Sequence, residues 1–278
     1  MTNIRLLGID LDGTLLDSRW KLSEANRAAL EQAHRRGVHI VFVTGRRYHI
    51  THPITRAFDF PHYIVTTAGA VTRSSSGNVL FVQTLPPDIT KELLSHIPRF
   101  RPFSFLIADV NGREDLVCEN PCMTNIHVAR YVELNMNFML QVPDLASAVT
   151  DATIEVVLMG HVNEMREALS LIDGFHRRSE LNVLRTEYLE RDLCLLDVID
   201  ARTHKGFAVR RLAASLDVPQ GAVMAIGDNH SDLDMLAYAA VPVVMGNGTD
   251  ELKSQGWYVT ESNDQDGVAK ALQRFILL

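Results

Sequence analysis

The chain has 278 residues, of which 46% are hydrophobic and 22% charged, a composition typical of a stable globular protein. This length fits either one large α/β domain or a core with a second domain. The formal net charge of -7 argues against binding nucleic acid or an anionic membrane through bulk electrostatics, because that mode of binding needs clustered Lys and Arg.

The absence of a signal peptide or spanning segment and the small number of cysteines predict a cytoplasmic protein. No apolar stretch approaches the roughly 18 residues that a membrane-spanning helix needs, and the first residues lack the apolar region of a signal peptide. Cys118, Cys122 and Cys194 are an odd and sparse set, which suits a reducing compartment better than a disulfide framework. Since no second Cys or His pair accompanies Cys118 and Cys122, buried thiols are favoured over a zinc site.

The two ends of the chain show alternating strands and helices. Residues 4–10 form an apolar run that ends in an acid, which is typical of a buried parallel strand. Ser23 is the predicted cap of a helix over 24–36, Gly37 ends that helix, and 38–43 is the next strand. Near the C-terminus the predicted elements are, in order, a helix over 204–216, a strand at 222–226, a helix at 232–240, a strand at 241–245 and a final amphipathic helix around 268–276. This order predicts a parallel sheet with right-handed crossovers.

The middle of the chain has a different pattern. Two strands over 103–110 and 116–119 flank Asn111-Gly112, a strong signal for an antiparallel hairpin. A strand over 153–159, a helix capped by Asn163, and strands near 181–186 and 193–199 follow. We therefore predict an α+β domain at 84–200, inserted into a discontinuous α/β core made of 1–83 and 201–278.

Polar residues that can carry chemistry fall at strand ends or at the start of a helix, where open α/β sheets build their sites. They are Asp10 with Asp12, Thr44, Lys205, and Asp228 with Asp232. Acids brought close together repel and lose hydration, and a divalent cation resolves that cost. Mg²⁺ prefers carboxylate, water and phosphate oxygens, which matches Asp10, Asp228 and a phosphoryl group, whereas zinc would require His or Cys.

Lys205 and Thr44 suggest an anion. A cation in the first turn of a helix opposes the helix dipole, so a nearby anion would explain Lys205. Thr44 and the backbone amides after it are suited to binding a phosphate oxygen.

These residues form motifs that resemble a known family. Asp10-x-Asp12-Gly13-Thr14-Leu15, Thr44-Gly45-Arg46, Lys205-Gly206 and Gly227-Asp228-x-x-Ser231-Asp232 are similar, in this order, to the four motifs of haloacid dehalogenase-like phosphatases. The place of the insert resembles the Cof-type subfamily, whose inserted α+β (type IIB) cap closes over the active site. Met245-Gly246-Asn247 and the segment 261–269 are similar to that subfamily's C-terminal signature. The resemblance implies an α/β fold with a Rossmann-like parallel-sheet core and an inserted α+β cap domain.

The resemblance also implies roles for individual residues. Asp10 would be the nucleophile that forms an aspartyl-phosphate, and Asp12 the general acid and base. Mg²⁺ would bind Asp10, the backbone carbonyl of Asp12, and Asp228, while Asp232 would orient water ligands or Lys205. The implied phosphate- or substrate-binding residues are Thr44, Gly45, Arg46, Lys205 and Asn247. Two of these keep a simpler alternative, Arg46 as a surface cation and Asn247 as a structural turn residue.

Three departures from the family pattern bear on substrate preference more than on reaction type. Ala68 stands where the subfamily usually has Asn, Ser231 replaces an Asn, and His204 replaces a small polar residue. His49 and His52 lie one helical turn apart, but Pro53 is expected to break this segment, and packing is favoured over metal binding.

The predicted function is that of a phosphoric monoester hydrolase, a magnesium-dependent phosphatase acting on a small phosphorylated metabolite such as a sugar phosphate or phosphorylated cofactor. Two alternatives remain open. One is a sugar-phosphate mutase or phosphotransferase, and the other a non-catalytic phosphate-sensing protein, against which Asp12 and the insert argue. We expect no nucleic-acid or membrane partner, and a monomer or small homo-oligomer.

Overall fold

A computed structural model describes residues 3–110 and 113–277, which divide into two compact units. The core unit combines Met1–Phe81 with His204–Leu278, and the inserted unit is Val82–Thr203. The sequence boundaries proposed at 83/84 and 200/201 lie close to these divisions. That the inserted unit acts as a cap remains a prediction.

Strands make up two separate sheets. In chain order they are β1 (Leu6–Asp10), β2 (His39–Val43), β3 (Tyr63–Thr66), β4 (Val71–Ser74), β5 (Val79–Val82), β6 (Ser104–Val110), β7 (Arg113–Cys118), β8 (Met139–Gln141), β9 (Thr153–Gly160), β10 (Leu181–Tyr188), β11 (Leu193–Asp200), β12 (Val223–Gly227), β13 (Val241–Val244) and β14 (Tyr258–Val259). The core sheet has the order β14-β13-β12-β1-β2-β3-β4-β5, and the inserted sheet the order β10-β11-β9-β6-β7-β8.

Helices surround these sheets. They are α1 (Glu24–Arg35), α2 (Tyr48–Thr55), α3 (Pro87–His96), α4 (Ile126–Asn135), α5 (Val162–Asp173), α6 (Lys205–Ser215), α7 (Leu233–Tyr238), α8 (Asp250–Lys253) and α9 (Gly267–Leu272), the last continuing into a wider π-helical turn over Gln273–Leu277. Within the ranges described, no helix combines the length and apolarity required to cross a bilayer.

The core sheet is parallel from β14 to β3, and β4 turns back antiparallel to β3. Its central strand, β1, is buried along its whole length. Leu7 and Ile9 pack with α1 and α9 on one face, and Leu6 packs with α6 and α7 on the other. Because helices cover both faces, the strand is apolar at successive positions rather than at alternate ones.

The order of the strands explains where a site forms. After β1 the chain adds β2 and β3 on one side, and later adds β12 to β14 on the other. The carboxyl end of β1 is therefore a topological switch point, the place where open α/β sheets bind ligands. Asp10 is the last residue of β1, so its side chain lies at this point.

The inserted unit is an α+β layer structure. Its neighbouring strands are antiparallel except for the pair β7 and β8. The helices α3 and α5 pack on one face of the sheet, where Leu93 and Met165 join Leu158 in one apolar cluster. The two architectures together confirm the predicted α/β class with an α+β insertion.

Several local predictions are confirmed. Ser23 caps α1, with its hydroxyl accepting a hydrogen bond from the Asn26 amide at 3.1 Å. Cys118 and Cys194 are buried free thiols, and burial raises the pKa of Cys194 to about 11, whereas Cys122 is a free thiol that is only half-buried. Asn111 and Gly112 lie outside the described residues, but β6 and β7 on either side pair antiparallel, as in a hairpin.

Two local predictions are wrong. Asn163 does not cap α5, because the helix begins at Val162 and its cap position is His161, two residues before Asn163. The Asp192 carboxylate accepts from the Val162 amide at 3.1 Å. Pro53 does not break its segment but lies inside α2. In a helix of two turns, its missing N–H removes a single intrahelical hydrogen bond, and the rings of Tyr48 and His52 pack 5.2 Å apart along the same helix.

Asn26 joins three parts of the core unit from inside α1. Its side chain is 1% exposed, donates to the Leu15 carbonyl at 3.3 Å and accepts from the Ala269 amide at 2.9 Å. Asn26→Ala leaves both backbone groups buried without a partner, so we expect the free energy of unfolding to fall by about 2–3 kcal/mol. Urea denaturation measures this loss. Gln32→Ala, at an exposed position of the same helix, is the matched control and should stay within about 0.5 kcal/mol of the parent.

Candidate active site

A buried lysine joins two carboxylates at the centre of the site. Lys205 is the first residue of α6 and only 3% exposed. Its Nζ donates to Asp10 Oδ1 at 2.6 Å and to Asp232 Oδ1 at 2.7 Å. The contact brings together residues that lie 195 and 27 positions from Lys205 in sequence.

The charges of this cluster are not balanced. Asp10, Asp228 and Asp232 each place a carboxylate oxygen within 4.8 Å of the others, against a single ammonium group. Burial raises the pKa of Asp10 well above its ordinary value despite Lys205, and repulsion from Asp232 and Asp228 adds to the rise. Burial, and then repulsion from Asp232, raises the pKa of Asp228 to about 6. Burial by itself would lower the pKa of Lys205, but the Asp10 and Asp232 carboxylates outweigh it and the pKa is raised.

The oxygens left over in this cluster suit a hard cation. Asp10 Oδ2 is buried and accepts no hydrogen bond from any described residue. Asp228 uses Oδ1 to accept from the Thr14 hydroxyl at 3.0 Å. Asp232 has no oxygen to spare, because Oδ2 accepts from the amides of Asp228 and Asn229 at 3.0 and 3.2 Å. A divalent cation held by Asp10 and Asp228 fits this pattern, with Asp232 beside it rather than bound to it.

The loop after β1 requires glycine at position 13. Gly13 has φ +80°, in the left-handed region, and a Cβ there would lie 2.4 Å from Asp228 Oδ2. The absence of a side chain lets the Thr14 hydroxyl reach Asp228 across the site. The sequence motifs assign no role to Thr14, although its place two residues after Asp12 in the first motif is a signal for one.

Thr44 follows β2 directly, and one of the backbone amides after it is already used within the protein. The Arg46 amide donates to Thr44 Oγ1 at 3.1 Å, so this N–H is already used. The same contact leaves the hydroxyl proton of Thr44 free to point to an anion. Thr44 is 1% exposed at the end of β2, at the same sheet edge as Asp10.

Arg46 pairs with Asp12. Its Nε donates to Asp12 Oδ2 at 2.7 Å, and its NH2 group bonds to Asp12 Oδ1. The guanidinium therefore holds both oxygens of the residue predicted to be the general acid and base. Arg46 is therefore not an isolated surface cation, and substrate binding by Arg46 remains a prediction.

Asn247 is used to hold loops together. Its Nδ2 donates to the Gly13 carbonyl at 2.8 Å, and its Oδ1 accepts from the Asn263 amide at 2.9 Å. Both ends of the side chain are thus used within the protein, and substrate binding by Asn247 remains a prediction. Asn263, which sequence reasoning did not assign to the site, donates through Nδ2 to the Leu16 carbonyl at 2.9 Å.

Ala68 lies in a strained loop beside Thr44. Thr67 and Ala68 have φ of 50° and 52°, a region that side chains other than Asn, Asp and Gly seldom adopt. Their amides donate to the carbonyls of Arg46 and Thr44 at 3.0 and 3.2 Å. On the other side, a Cβ at Gly69 would lie 2.5 Å from the His204 carbonyl oxygen. The loop therefore connects the Thr44 segment to the start of α6, where Lys205 stands.

A parallel sheet that gathers buried acids, a lysine and a threonine at the carboxyl ends of its strands is the arrangement in which proteins of the α/β class build their binding sites. The chain belongs to the haloacid dehalogenase-like hydrolases, whose family model matches residues 7–272. The predicted family, including its Cof-type branch, is therefore confirmed.

Individual relatives agree with this assignment. The chain is 28% identical to phosphatase YwpJ of Bacillus subtilis, over 98% of this chain and 100% of that protein. It is 25% identical to 5-amino-6-(5-phospho-D-ribitylamino)uracil phosphatase YcsE of the same organism, over 99% and 97%. A solved haloacid dehalogenase-like hydrolase from Bacteroides thetaiotaomicron has the same fold, with a TM-score of 0.79, 24% identity and coverage of 98% and 100%. The predicted enzyme class, a phosphatase, is confirmed.

The strained loop gives a test of stability. Ala68→Gly removes the Cβ that disfavours φ of 52°, so we expect the free energy of unfolding to rise by about 0.5–1 kcal/mol. Ala70→Gly is the matched control, because Ala70 has a helical φ of -70° and the same change there should cost about 1 kcal/mol. Thermal or urea unfolding of both variants measures the difference. Equal losses in the two variants would contradict strain at Ala68.

Proposed function

We propose that this chain is a Mg²⁺-dependent phosphatase that hydrolyses a monoester of a small phosphorylated metabolite through an aspartyl-phosphate on Asp10. The observation that carries the proposal is that the two oxygens of the Asp10 carboxylate have different contacts. Lys205 holds Oδ1, while Oδ2 accepts no hydrogen bond from the described residues. A nucleophile requires one oxygen with a free lone pair and a second contact that fixes its direction.

Asp10 attacks phosphorus through one of its carboxylate oxygens, with the other left for the cation, and the bond from phosphorus to the ester oxygen breaks. Hydrolysis of the resulting acyl phosphate by water then restores the carboxylate and releases inorganic phosphate. Lys205, with two of its three N–H groups on carboxylates, has a third to offer to a phosphoryl oxygen. Thr44 offers its hydroxyl proton to another oxygen, so both residues stabilise charge on the transferring group.

Asp12 is the proposed acid and base. It protonates the departing ester oxygen in the first step and takes a proton from water in the second. The Arg46 guanidinium binds both Asp12 oxygens in the structure, which suits the base role directly. For the acid role Asp12 has to leave at least one of these bonds and carry a proton.

Asp10, the Asp12 backbone carbonyl and Asp228 are the proposed Mg²⁺ ligands. A cation held there would offset the excess negative charge of the site and would supply Lewis-acid stabilisation of the phosphoryl group. Asp232 keeps Lys205 and the Asp228 backbone in place through its two oxygens. Carboxylate and carbonyl oxygens without His or Cys favour Mg²⁺ over zinc.

The substrate class is proposed from the relatives and from the chemistry of the site. One relative is named as a phosphatase of a phosphorylated ribityl compound. By analogy, we propose that the substrate of this chain is a sugar phosphate or a phosphorylated cofactor. Residues 84–200 are the proposed specificity-determining cap. We propose a cytoplasmic location for the enzyme, which suits its free thiols.

Phosphate release tests the reaction and its nucleophile together. The purified chain should release inorganic phosphate from p-nitrophenyl phosphate when Mg²⁺ is present, and Asp10→Asn should lower this rate by at least about 10³-fold, because an amide is a poor nucleophile. Asp59→Asn, a change of the same chemistry at an exposed residue of the core unit, should keep the parent rate. Substantial turnover by Asp10→Asn would rule out Asp10 as the nucleophile. Transfer of phosphate to a sugar in place of release would favour a mutase.

Metal binding is tested by stability, without turnover. Saturating Mg²⁺ should stabilise the parent chain, by about 2.7 kcal/mol at 100 times the dissociation constant, and Asp228→Asn should lose most of this gain. The Thr14 hydroxyl can still donate to the amide oxygen of Asn, which limits disruption. Thermal unfolding across a Mg²⁺ titration measures both proteins, with Asp59→Asn again as control. An unaltered Mg²⁺ response in Asp228→Asn would reject Asp228 as a ligand.

In metal-free buffer the removal of the Asp228 charge should stabilise the protein instead of weakening its response to Mg²⁺. The folded-state pKa of Asp228 is raised to about 6, so its contribution to stability is present in acid and is lost as pH rises through about 6. Asp228→Asn should therefore be more stable than the parent at pH 7 in EDTA, by about 1 kcal/mol after allowance for solvent screening. At pH 4 the two proteins should differ little.

A further inference from the structure

A set of side chains from the C-terminal part of the core unit holds the loop that follows Asp10. We name this set the clasp and define it as Asn247, Asn263 and Asp264. The first two donate to the carbonyls of Gly13 and Leu16 at 2.8 and 2.9 Å. Asp264 Oδ1 accepts from the Ser18 amide at 2.8 Å. The three contacts span more than 230 positions of the chain and all end on backbone atoms of the loop 13–18.

Asn247 has the central place in the clasp. Its Oδ1 accepts from the Asn263 amide at 2.9 Å, so the two asparagines are joined to each other as well as to the loop. The segment that carries Asn247 also contacts the other side of the site, because the Thr249 amide donates to the Asp228 carbonyl at 2.9 Å. One short segment, 247–249, therefore holds the backbone at Gly13 and at Asp228 together.

These contacts act on the proposed metal ligands. Gly13 follows Asp12, whose carbonyl is a proposed ligand, and Thr14 donates to Asp228, another ligand. A bond to the Gly13 carbonyl restricts rotation of the loop on both sides of that glycine, whose missing Cβ otherwise gives it wide freedom. Outer contacts of this kind orient metal ligands and tune affinity for the ion.

We infer that Asn247 is a positioning residue for the Mg²⁺ site and that it acts through the Gly13 carbonyl rather than by touching the substrate. The inference rests on the proposed function and concerns the same site. Without the Asn247 side chain the loop is more mobile, so binding of Mg²⁺ has to restrict its motion, and this loss of conformational entropy weakens metal binding. Affinity for Mg²⁺ therefore falls, while binding of substrate to the metal-loaded enzyme changes little.

The test is a Mg²⁺ titration followed by thermal unfolding, which needs no turnover. Asn247→Ala should raise the half-saturating Mg²⁺ concentration by about 10-fold, the lower end of the range for outer contacts, because the bond to Gly13 is solvent-exposed. Asn263→Ala, which removes the Leu16 contact and leaves Asn247 in place, should raise it by a smaller factor. If Asn247→Ala does not fold, Asn263→Ala takes its place in the test. Asn78→Ala is the control, since that side chain donates to Ser76 in an exposed turn, and its titration should match the parent.

Steady-state kinetics at saturating Mg²⁺ complete the test. The KM of Asn247→Ala for p-nitrophenyl phosphate should stay within about 2-fold of the parent when the metal site is filled. A raised KM with the parent's Mg²⁺ titration would overturn the inference and favour substrate contact. A lower melting temperature with the parent's Mg²⁺ titration would also overturn it, as it shows a role in the fold alone. If the parent chain itself gains no stability from Mg²⁺, the proposed metal site fails first and the inference fails with it.

Discussion

The ammonium group of Lys205 is the interaction on which the rest of the core unit depends. It lies between Asp10 and Asp232 at 2.6 and 2.7 Å and is almost completely buried. A buried cation is tolerated only when carboxylates satisfy it, and buried carboxylates are tolerated only when a cation satisfies them. Lys205 therefore joins the end of β1, the start of α6 and the turn after β12 at one point.

That requirement leaves the site short of positive charge. Lys205 bonds to two of the three carboxylates, and burial together with repulsion between the acids raises the pKa of Asp10 and Asp228. A structure selected for stability alone would replace one of the acids with a neutral residue of similar size. The surplus of negative charge makes sense in a site that binds a divalent cation and works on phosphate.

Sequence reasoning located the site through topology. Carboxyl ends of parallel strands share one edge of a sheet, so acids that follow apolar runs are brought together whatever their separation along the chain. The same reasoning could not show that Arg46 pairs with Asp12 or that Asn247 reaches Gly13, because each contact depends on side-chain reach between distant loops. The sequence pattern also did not predict the left-handed conformation of Ala68, which an alanine disfavours. The amides of Thr67 and Ala68 donate to the carbonyls of Arg46 and Thr44, and these hydrogen bonds impose the conformation. The wrong cap at Asn163 has a similar cause, as Asp192 supplies the acceptor from another part of the inserted unit.

The pairing of Asp12 with Arg46 separates the two carboxylates of the first motif more clearly than their sequence does. Asp10 is rigid, because its strand is buried and Lys205 holds one of its oxygens. Asp12 lies in a loop, its side chain is 42% exposed, and its partner is a guanidinium on a long and flexible stem. The proposed nucleophile, Asp10, benefits from a fixed position, whereas the proposed acid and base, Asp12, would have to exchange partners during the reaction. The fold therefore places the fixed residue at the end of a strand and the exchanging residue two positions further on, where the backbone turns at Gly13.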